Sequence, residues 1–248
     1  MSRTLGLIGS GMIGTSVARL ALAAGMEVVL SNSRGPETLL DLVAELGAGA
    51  RAATAAGAAR AADLVVAAVP LAAFPHLPAE ALAGKVVLDT ANYYPERDGH
   101  LAELDEAELT SSELLQRRLP ASRVVKAFNT ITPHQLVALA RPANAPDRSA
   151  LPVAGDDASA KAEAVRLLDD LGYDAVDVGT LADSWRSEPN TPVFVLPYLG
   201  EVLAMNVEDF LRWTFTINGI PVPAARIAKL VETAERQRAG ETRLPSEN

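Results

Sequence analysis

Three glycines near the N-terminus have the spacing of a dinucleotide-binding turn. Gly9, Gly11 and Gly14 follow a short apolar segment, and a helical period of apolar residues begins directly after them. In such a turn the first glycine permits a tight bend, the second lets the backbone approach a pyrophosphate, and the third lets the helix pack on the strand. The helix start adds free N–H groups and a partial positive charge. We therefore expect the pyrophosphate to be bound by Gly9, Ser10, Gly11, Met12, Ile13 and Gly14.

The end of the second predicted strand indicates which dinucleotide binds. Sites for NAD usually place an acidic residue there, where it hydrogen-bonds to the ribose 2′-hydroxyl. Here the sequence has no acid, and hydroxyl, amide and guanidinium groups follow the strand instead. Such groups suit a 2′-phosphate, which a carboxylate would repel. The sequence thus predicts NADP(H), with its 2′-phosphate held by Ser31, Asn32, Ser33 and Arg34.

Later strand ends supply further candidate site residues. In open α/β sheets the ligand crevice lies beyond the carboxyl ends of the strands. The fourth and sixth predicted strands end in apolar residues, and asparagines follow the fifth and sixth. We expect the reacting rings to be framed by Val69, Pro70, Leu71, Asn92, Ala127 and Asn129.

Several other chemistries have no support in the residues. The chain has no cysteine, which excludes thiolate metal sites and cysteine nucleophiles. His76, His100 and His134 lie far apart without ligand spacing, so we expect no metal site. No catalytic side chain stands out.

Charge and hydropathy limit the partners. The net charge of −9 argues against nucleic acid, which usually needs a basic face. The most apolar late stretch, residues 191–205, contains Pro197 and Glu201 and is too short for a bilayer. The first predicted strand begins almost at Met1, so we expect no signal peptide, a cytoplasmic protein and a small-molecule redox partner.

Strands and helices alternate along most of the chain. Apolar segments predict strands at residues 4–8, 27–30, 51–53, 63–69, 85–89, 122–127, 151–154 and 175–178. Helical periods lie between many of them, at 37–46 and 158–171 for example, while residues 92–99 are predicted to form an exposed loop. This order predicts an α/β fold, a Rossmann-type doubly wound parallel sheet over residues 1–180.

Residues 181–248 are predicted to form a small, mostly helical C-terminal region. Helix is expected over 181–211 and 224–237, and disorder from Gly240. Two apolar stripes at helical spacing need a covering surface: Val207, Phe210, Leu211 and Thr214, then Ile227, Leu230, Val231 and Ala234. They pack either on their own subunit or on a second copy in a homodimer.

The motifs together resemble a known family. The glycine turn, the segment 31–34, the Ala-Phe-Asn-Thr of 127–130 and two later segments, 151–157 and 178–183, look like NADP oxidoreductases that depend on coenzyme F420. They are also similar to the cytosolic reductase domain of six-transmembrane metalloreductases. The resemblance spans roughly residues 4–199. It implies hydride exchange between NADP(H) and coenzyme F420 or another flavin-like ring, which the protein mainly orients. The chain departs from the compact family pattern after Leu199.

Two other functions remain open at this point. One is an NADPH-dependent imine or 3-hydroxyacid-type reductase, which shares the first half but adds a long helical domain with a proton donor. The other is a non-catalytic NADPH-binding sensor.

Overall fold

The computed structural model describes residues 3–202 and 206–237, and its centre is one twisted sheet. Within these residues the sheet has eight strands, in the order β3-β2-β1-β4-β5-β6-β7-β8. The strands are β1 Thr4–Ile8, β2 Glu27–Ser31, β3 Ala50–Ala52, β4 Leu64–Ala67, β5 Val86–Asp89, β6 Arg123–Lys126, β7 Ala150–Gly155 and β8 Asp174–Gly179. The predicted Rossmann-type α/β fold is confirmed. The reversal of strand order beside β1 creates the crevice expected in such sheets.

One strand pair departs from the predicted parallel sheet. β7 runs antiparallel to β6, whereas every other neighbouring pair is parallel. The connection between them carries α8 (Pro133–Ala138), which packs against α1 (Met12–Ala23) instead of crossing the sheet back to the start of β6. A chain that does not cross back enters the next strand in the opposite direction.

Helices cover both faces of the sheet. Besides α1 and α8 they are α2 Leu40–Leu46, α3 Ala55–Ala61, α4 Ala79–Leu82, α5 Pro95–Asp98, α6 Ala102–Asp105, α7 Ser111–Arg118, α9 Ala158–Asp170, α10 Leu196–Leu199, α11 Val207–Thr214 and α12 Ala224–Glu232. The 3-10 helices among the described residues lie at Pro36–Leu39, Leu71–His76 and Leu181–Ser187. Across the described residues, every helix is too short or too polar to cross a bilayer.

Local sequence sets where the key helices begin. The Thr110 hydroxyl and the Glu113 carboxylate form a capping box at the start of α7. Asp157 caps α9 by accepting from the Ala160 N–H at 2.8 Å.

The core lies on both faces because the strands alternate. Leu64 and Val66 of β4 enter one hydrophobic cluster, whereas Val65 and Ala67 enter another. This is the two-residue period of a strand buried on both sides.

The region after residue 180 is less helical than predicted. Between the 3-10 helix Leu181–Ser187 and α10, residues 188–195 form turns that contain Pro189 and Pro192. Proline lacks an N–H and cannot continue a helix interior. The second apolar stripe packs on its own subunit, because α12 lies on β7 and β8 with Ile227 and Val231 in the sheet's core. In the first stripe Thr214 is buried, while the side chains of Val207 and Leu211, like the tail from Gly240, lie outside the described residues. The division of the chain at residue 180 stays a prediction.

The predicted exposed loop at residues 92–99 is wrong in part. Tyr93 and Pro95 are buried, and α5 occupies 95–98. The Tyr93 hydroxyl donates to Asp105 Oδ1 at 2.7 Å and accepts from the Leu101 N–H at 2.9 Å. Burial, together with the bond to Asp105, raises the pKa of Tyr93 to about 12. Polar composition suggested exposure, but one buried aromatic ring holds the segment against the sheet.

Candidate functional site

The glycine turn joins β1 to α1 with almost no spare volume at two of its glycines. Gly9 has φ of +103°, and a Cβ there would overlap the carbonyl oxygen of Ala68. A Cβ on Gly14 would overlap the carbonyl oxygen of Gly9. Gly11 differs, since a Cβ there would meet no described atom within 4 Å. Two glycines therefore permit close packing, and the third faces open space.

The open space at Gly11 adjoins the start of α1. Gly11 is the N-cap residue of this helix, and no side chain caps it. The first N–H groups of a helix have no partner within the helix and attract anions. Ser10 is directed away, because its hydroxyl donates to the Ser31 carbonyl at 2.9 Å. A backbone cradle beside an uncapped helix start fits a pyrophosphate.

The four residues expected at a 2′-phosphate are not equivalent. Ser31 is fully buried, and its hydroxyl donates to the Leu7 carbonyl at 3.0 Å. This hydroxyl therefore joins two strands of the sheet. Asn32 shapes the following turn by accepting from the Arg34 N–H at 3.0 Å and donating to Thr38 Oγ1 at 2.8 Å. Ser33 and Arg34 are exposed on that turn. They are the two of the four whose side chains are exposed to solvent.

A cleft of about 520 Å³ opens at the carboxyl edge of the sheet, beside the glycine turn. This volume lies within the usual range for small-molecule sites. Seven of the predicted residues line it: Gly11, Met12, Ile13, Val69, Pro70, Asn92 and Asn129. Leu71 and Ala127 do not line it, since both are buried in the hydrophobic clusters. Residues that follow four different strands therefore meet in this cleft, as expected at the carboxyl ends of parallel strands.

Other cleft residues were missed by sequence reasoning. Tyr94 and Arg97 come from the segment that was predicted to be an exposed loop, and Phe194, Val195 and Phe215 come from the C-terminal region. The Arg97 guanidinium lies over the Tyr94 ring, with 5.0 Å between its central carbon and the ring centroid. Burial raises the pKa of Tyr94 above its ordinary value. The sequence signal that could have identified these two residues is an aromatic residue followed three positions later by an arginine.

Two asparagines meet across the cleft floor. Asn129 Nδ2 donates to Asn92 Oδ1 at 3.1 Å, and Asn92 Nδ2 donates to the Asn129 carbonyl at 2.9 Å. The preceding Phe128 has φ of +63°, so the chain turns sharply where β6 has ended. This turn brings Asn129 back toward Asn92.

A buried ion pair lies beneath the asparagines. Lys126 and Asp89 are fully buried at the ends of β6 and β5, with Nζ 3.2 Å from Asp89 Oδ2. Lys126 Nζ also donates to Ser111 Oγ at 2.8 Å and to the Ala91 carbonyl at 2.5 Å. Ala91 directly precedes Asn92, so this hydrogen bond links the ion pair to one of the two asparagines. The ion pair thus fixes the floor of the cleft.

Comparisons with known proteins agree with this geometry. The model of the family "NADP oxidoreductase coenzyme F420-dependent" matches residues 4–93. A solved structure from Arthrobacter sp. FB24, described as an F420-dependent NADP-reductase, is 30% identical, with a TM-score of 0.63, covering 74% of this chain and 87% of that one. A hypothetical protein of Sinorhizobium meliloti is 29% identical, with a TM-score of 0.69, over 81% of this chain and 97% of that one.

More distant structures share the fold alone. The 3-hydroxyisobutyrate dehydrogenase of Mycobacterium tuberculosis is 15% identical with a TM-score of 0.53, and the match covers 73% of this chain and 56% of that one. No protein of curated function matches the sequence.

Sheet, glycine turn and relatives together define an NADP-dependent oxidoreductase of the Rossmann type. The chain belongs to the family of coenzyme F420-dependent NADP oxidoreductases.

Proposed function

We propose that this oxidoreductase exchanges a hydride between NADP(H) and a deazaflavin of the coenzyme F420 type. The observation that carries the proposal is the composition of the cleft beside the glycine turn. Among its described lining residues, the titratable side chains are Tyr94 and Arg97, while Phe194, Val195 and Phe215 are apolar. Such a lining suits the stacking of two planar rings and offers little acid–base chemistry.

The chain's own residues would bind and orient the partners. The backbone at Gly11 and the start of α1 would hold the pyrophosphate, and Ser33 and Arg34 the 2′-phosphate. Met12, Ile13, Val69 and Pro70 would exclude water from the ring side of the cleft. The bound nicotinamide would supply or accept the hydride, and the proton that reduction of the deazaflavin also takes up would come from solvent.

Neither titratable residue of the cleft suits general acid catalysis. Arg97 is held in an ion pair with Asp98, with Nη2 2.8 Å from Oδ2. The raised pKa of Tyr94 makes its phenol a poor acid near neutral pH. An imine reductase needs a proton donor to the substrate nitrogen, so this lining favours the deazaflavin.

The C-terminal region is proposed to cover the acceptor half of the cleft, where Phe194, Val195 and Phe215 lie. A homodimer and a cytoplasmic location are also proposed. The exposed side chain of Ile220 supports the dimer, because it is large and apolar and lies outside the cleft lining. Light scattering on the full-length protein tests it, and a monomer would refute it.

Turnover assays test the reaction. We expect NADPH to bleach the visible absorbance of the deazaflavin, and Tyr94→Phe to retain at least a third of the rate. Cyclic imines and 3-hydroxyacids should give no turnover above background. Imine reduction that is lost in Tyr94→Phe would instead support the reductase alternative, and NADPH binding without any turnover would support the sensor.

A further inference from the structure

Among the residues that the structure describes, the cleft is lined by one charged side chain, that of Arg97. This side chain is 49% exposed, and its guanidinium lies over the Tyr94 ring. The other described lining residues are uncharged. The chain as a whole has a net charge of −9, which repels anions. A local cation in the cleft is therefore the group that an anionic ligand would contact.

Three hydrogen bonds hold one edge of the guanidinium. Nε donates to Asp98 Oδ1 at 3.0 Å, while Nη2 donates to Asp98 Oδ2 at 2.8 Å and to the Asn92 carbonyl at 2.7 Å. The side chain of Asp98 is only 1% exposed, and it also accepts from the Tyr94 N–H at 3.1 Å. These contacts fix the plane of the guanidinium before any ligand binds. A fixed guanidinium loses less conformational entropy on binding an oxyanion.

The opposite end of the guanidinium is not used by the fold. Of its five N–H donors, the two on Nη1 have no hydrogen-bond partner among the described residues. Nη1 lies across the central carbon from the edge that faces the buried Asp98 carboxylate, so it is directed away from the protein interior. Because half of the side chain is exposed, these two donors are open to a ligand in the cleft.

Arg97 lies away from the strands at which the phosphates of NADP(H) are proposed to bind. The pyrophosphate cradle follows β1 and the 2′-phosphate turn follows β2, whereas the segment with Arg97 follows β5. In the sheet, β5 is two strands from β1 and three from β2. With neighbouring strands about 4.8 Å apart, these separations are about 10 and 14 Å. An anion bound by Arg97 would therefore belong to the second substrate.

We infer that Arg97 binds an oxyanion of the hydride acceptor and selects an acceptor that carries a phosphate or carboxylate group outside its ring. The inference rests on the proposed exchange of a hydride with a deazaflavin in this cleft. Coenzyme F420 carries both kinds of group on the side chain of its ring. Its riboflavin-like fragment has the same ring without them, so the pair of ligands isolates the contribution of the anionic side chain.

Fluorescence titration with these two deazaflavins tests the inference on the protein saturated with oxidised NADP. We expect coenzyme F420 to bind about tenfold more tightly than the fragment, equivalent to about 1.4 kcal/mol. Arg97→Gln removes the charge but keeps an amide donor. In this variant the two deazaflavins should bind within twofold of each other, with the affinities for the fragment and for NADPH unchanged.

Two controls sharpen the titration. Arg117→Gln should keep the tenfold preference, because this arginine is 58% exposed and paired with Glu103 but does not line the cleft. The form of the coenzyme that retains its phosphate and lacks its glutamates separates the two oxyanions. Full affinity of this form would assign the phosphate to Arg97, and affinity equal to that of the fragment would assign a carboxylate.

Three results would overturn the inference. The first is equal affinity of the unmodified protein for the two deazaflavins, and the second is a tenfold preference that persists in Arg97→Gln. The third is weakened NADPH binding in Arg97→Gln with the fragment still bound, since Arg97 would then contact the cofactor.

A further measurement on the unmodified protein covers two remaining cases. If Arg97→Gln binds neither NADPH nor the fragment, the variant has lost its fold; if neither deazaflavin binds the unmodified protein, the proposed function fails. In both cases the inference is decided by nitrogen NMR of the Arg97 guanidinium with oxidised NADP bound. Its signals should shift as inorganic phosphate is added at constant ionic strength, and signals that do not change would overturn the inference.

Discussion

Gly14 of α1 lies against the carbonyl oxygen of Gly9, so closely that no side chain fits between helix and turn. Gly11, between them, faces open space. Substitutions at the two positions should therefore fail in different ways. Gly14→Ala should lower the free energy of unfolding by about 1–3 kcal/mol, the usual cost of overpacking.

Gly11→Val should leave the fold in place and abolish dinucleotide binding, because the new side chain would occupy the space where a pyrophosphate approaches. Urea unfolding and NADPH titration of both variants check the pair. Normal NADPH affinity in Gly11→Val would mean that the turn has a structural role alone.

Arg34 provides the test of cofactor choice. It is exposed on the turn after β2, where no acidic residue stands. NADPH should bind at least tenfold more tightly than NADH, a difference of about 1.4 kcal/mol. Arg34→Ala should remove most of this difference and leave NADH affinity nearly unchanged.

Arg60→Ala is the matched control, because this exposed arginine lies near the end of α3, at the opposite edge of the sheet. Calorimetric titration with both cofactors decides the assignment. Equal affinity of the unmodified protein for the two cofactors would reject it.

The buried pair of Lys126 and Asp89 should matter for stability. Lys126→Met leaves the Asp89 carboxylate without its cation inside the core, which typically costs about 3–5 kcal/mol. Lys161→Met is the control, since its ion pair with Asp177 is partly exposed and worth about 1 kcal/mol or less. Equal losses in urea unfolding would show that the buried pair has no special weight.

The cap of α9 predicts part of the acid sensitivity. The hydrogen bond from the Ser159 hydroxyl, followed by that from the Ala160 N–H, holds the pKa of Asp157 below its ordinary 3.8. A depressed folded-state pKa stabilises the fold above the unfolded value and loses that effect as pH falls through the folded value. At pH 6 the urea midpoint of Asp157→Asn should therefore lie below that of the unmodified protein. At pH 3 the midpoints of the two proteins should lie closer together. A constant difference at both values would contradict this.

Where backbone rules are strong, the sequence predicted which residues lie together at the cleft. Glycine spacing located the cradle, and the strand ends located Asn92 and Asn129, because parallel strands bring their carboxyl ends to one edge. The direction of β7 was not predictable, since apolar alternation carries no information on strand direction. Tyr94 and Arg97 were missed because residues 92–99 are mostly polar, which suggested an exposed loop. Only one of these eight residues, the buried Tyr93, holds the segment against the sheet.

Side-chain direction was the other limit. Ser31 has the right position and residue type for a phosphate ligand, yet its hydroxyl is bound to the Leu7 carbonyl. Sequence places a residue at the end of a strand, but the pleat and the neighbouring carbonyls decide where its side chain is directed.

Isotope transfer in a single turnover tests the central claim most directly. The protein is mixed with NADPH that carries deuterium at both C4 positions and with one equivalent of oxidised deazaflavin in ordinary water. Direct hydride exchange predicts one deuterium per molecule on the ring carbon of the reduced deazaflavin, measured by mass spectrometry, and no transfer with Gly11→Val. Reduced deazaflavin without deuterium, or NADPH that binds and leaves the deazaflavin oxidised, would contradict the proposed reaction.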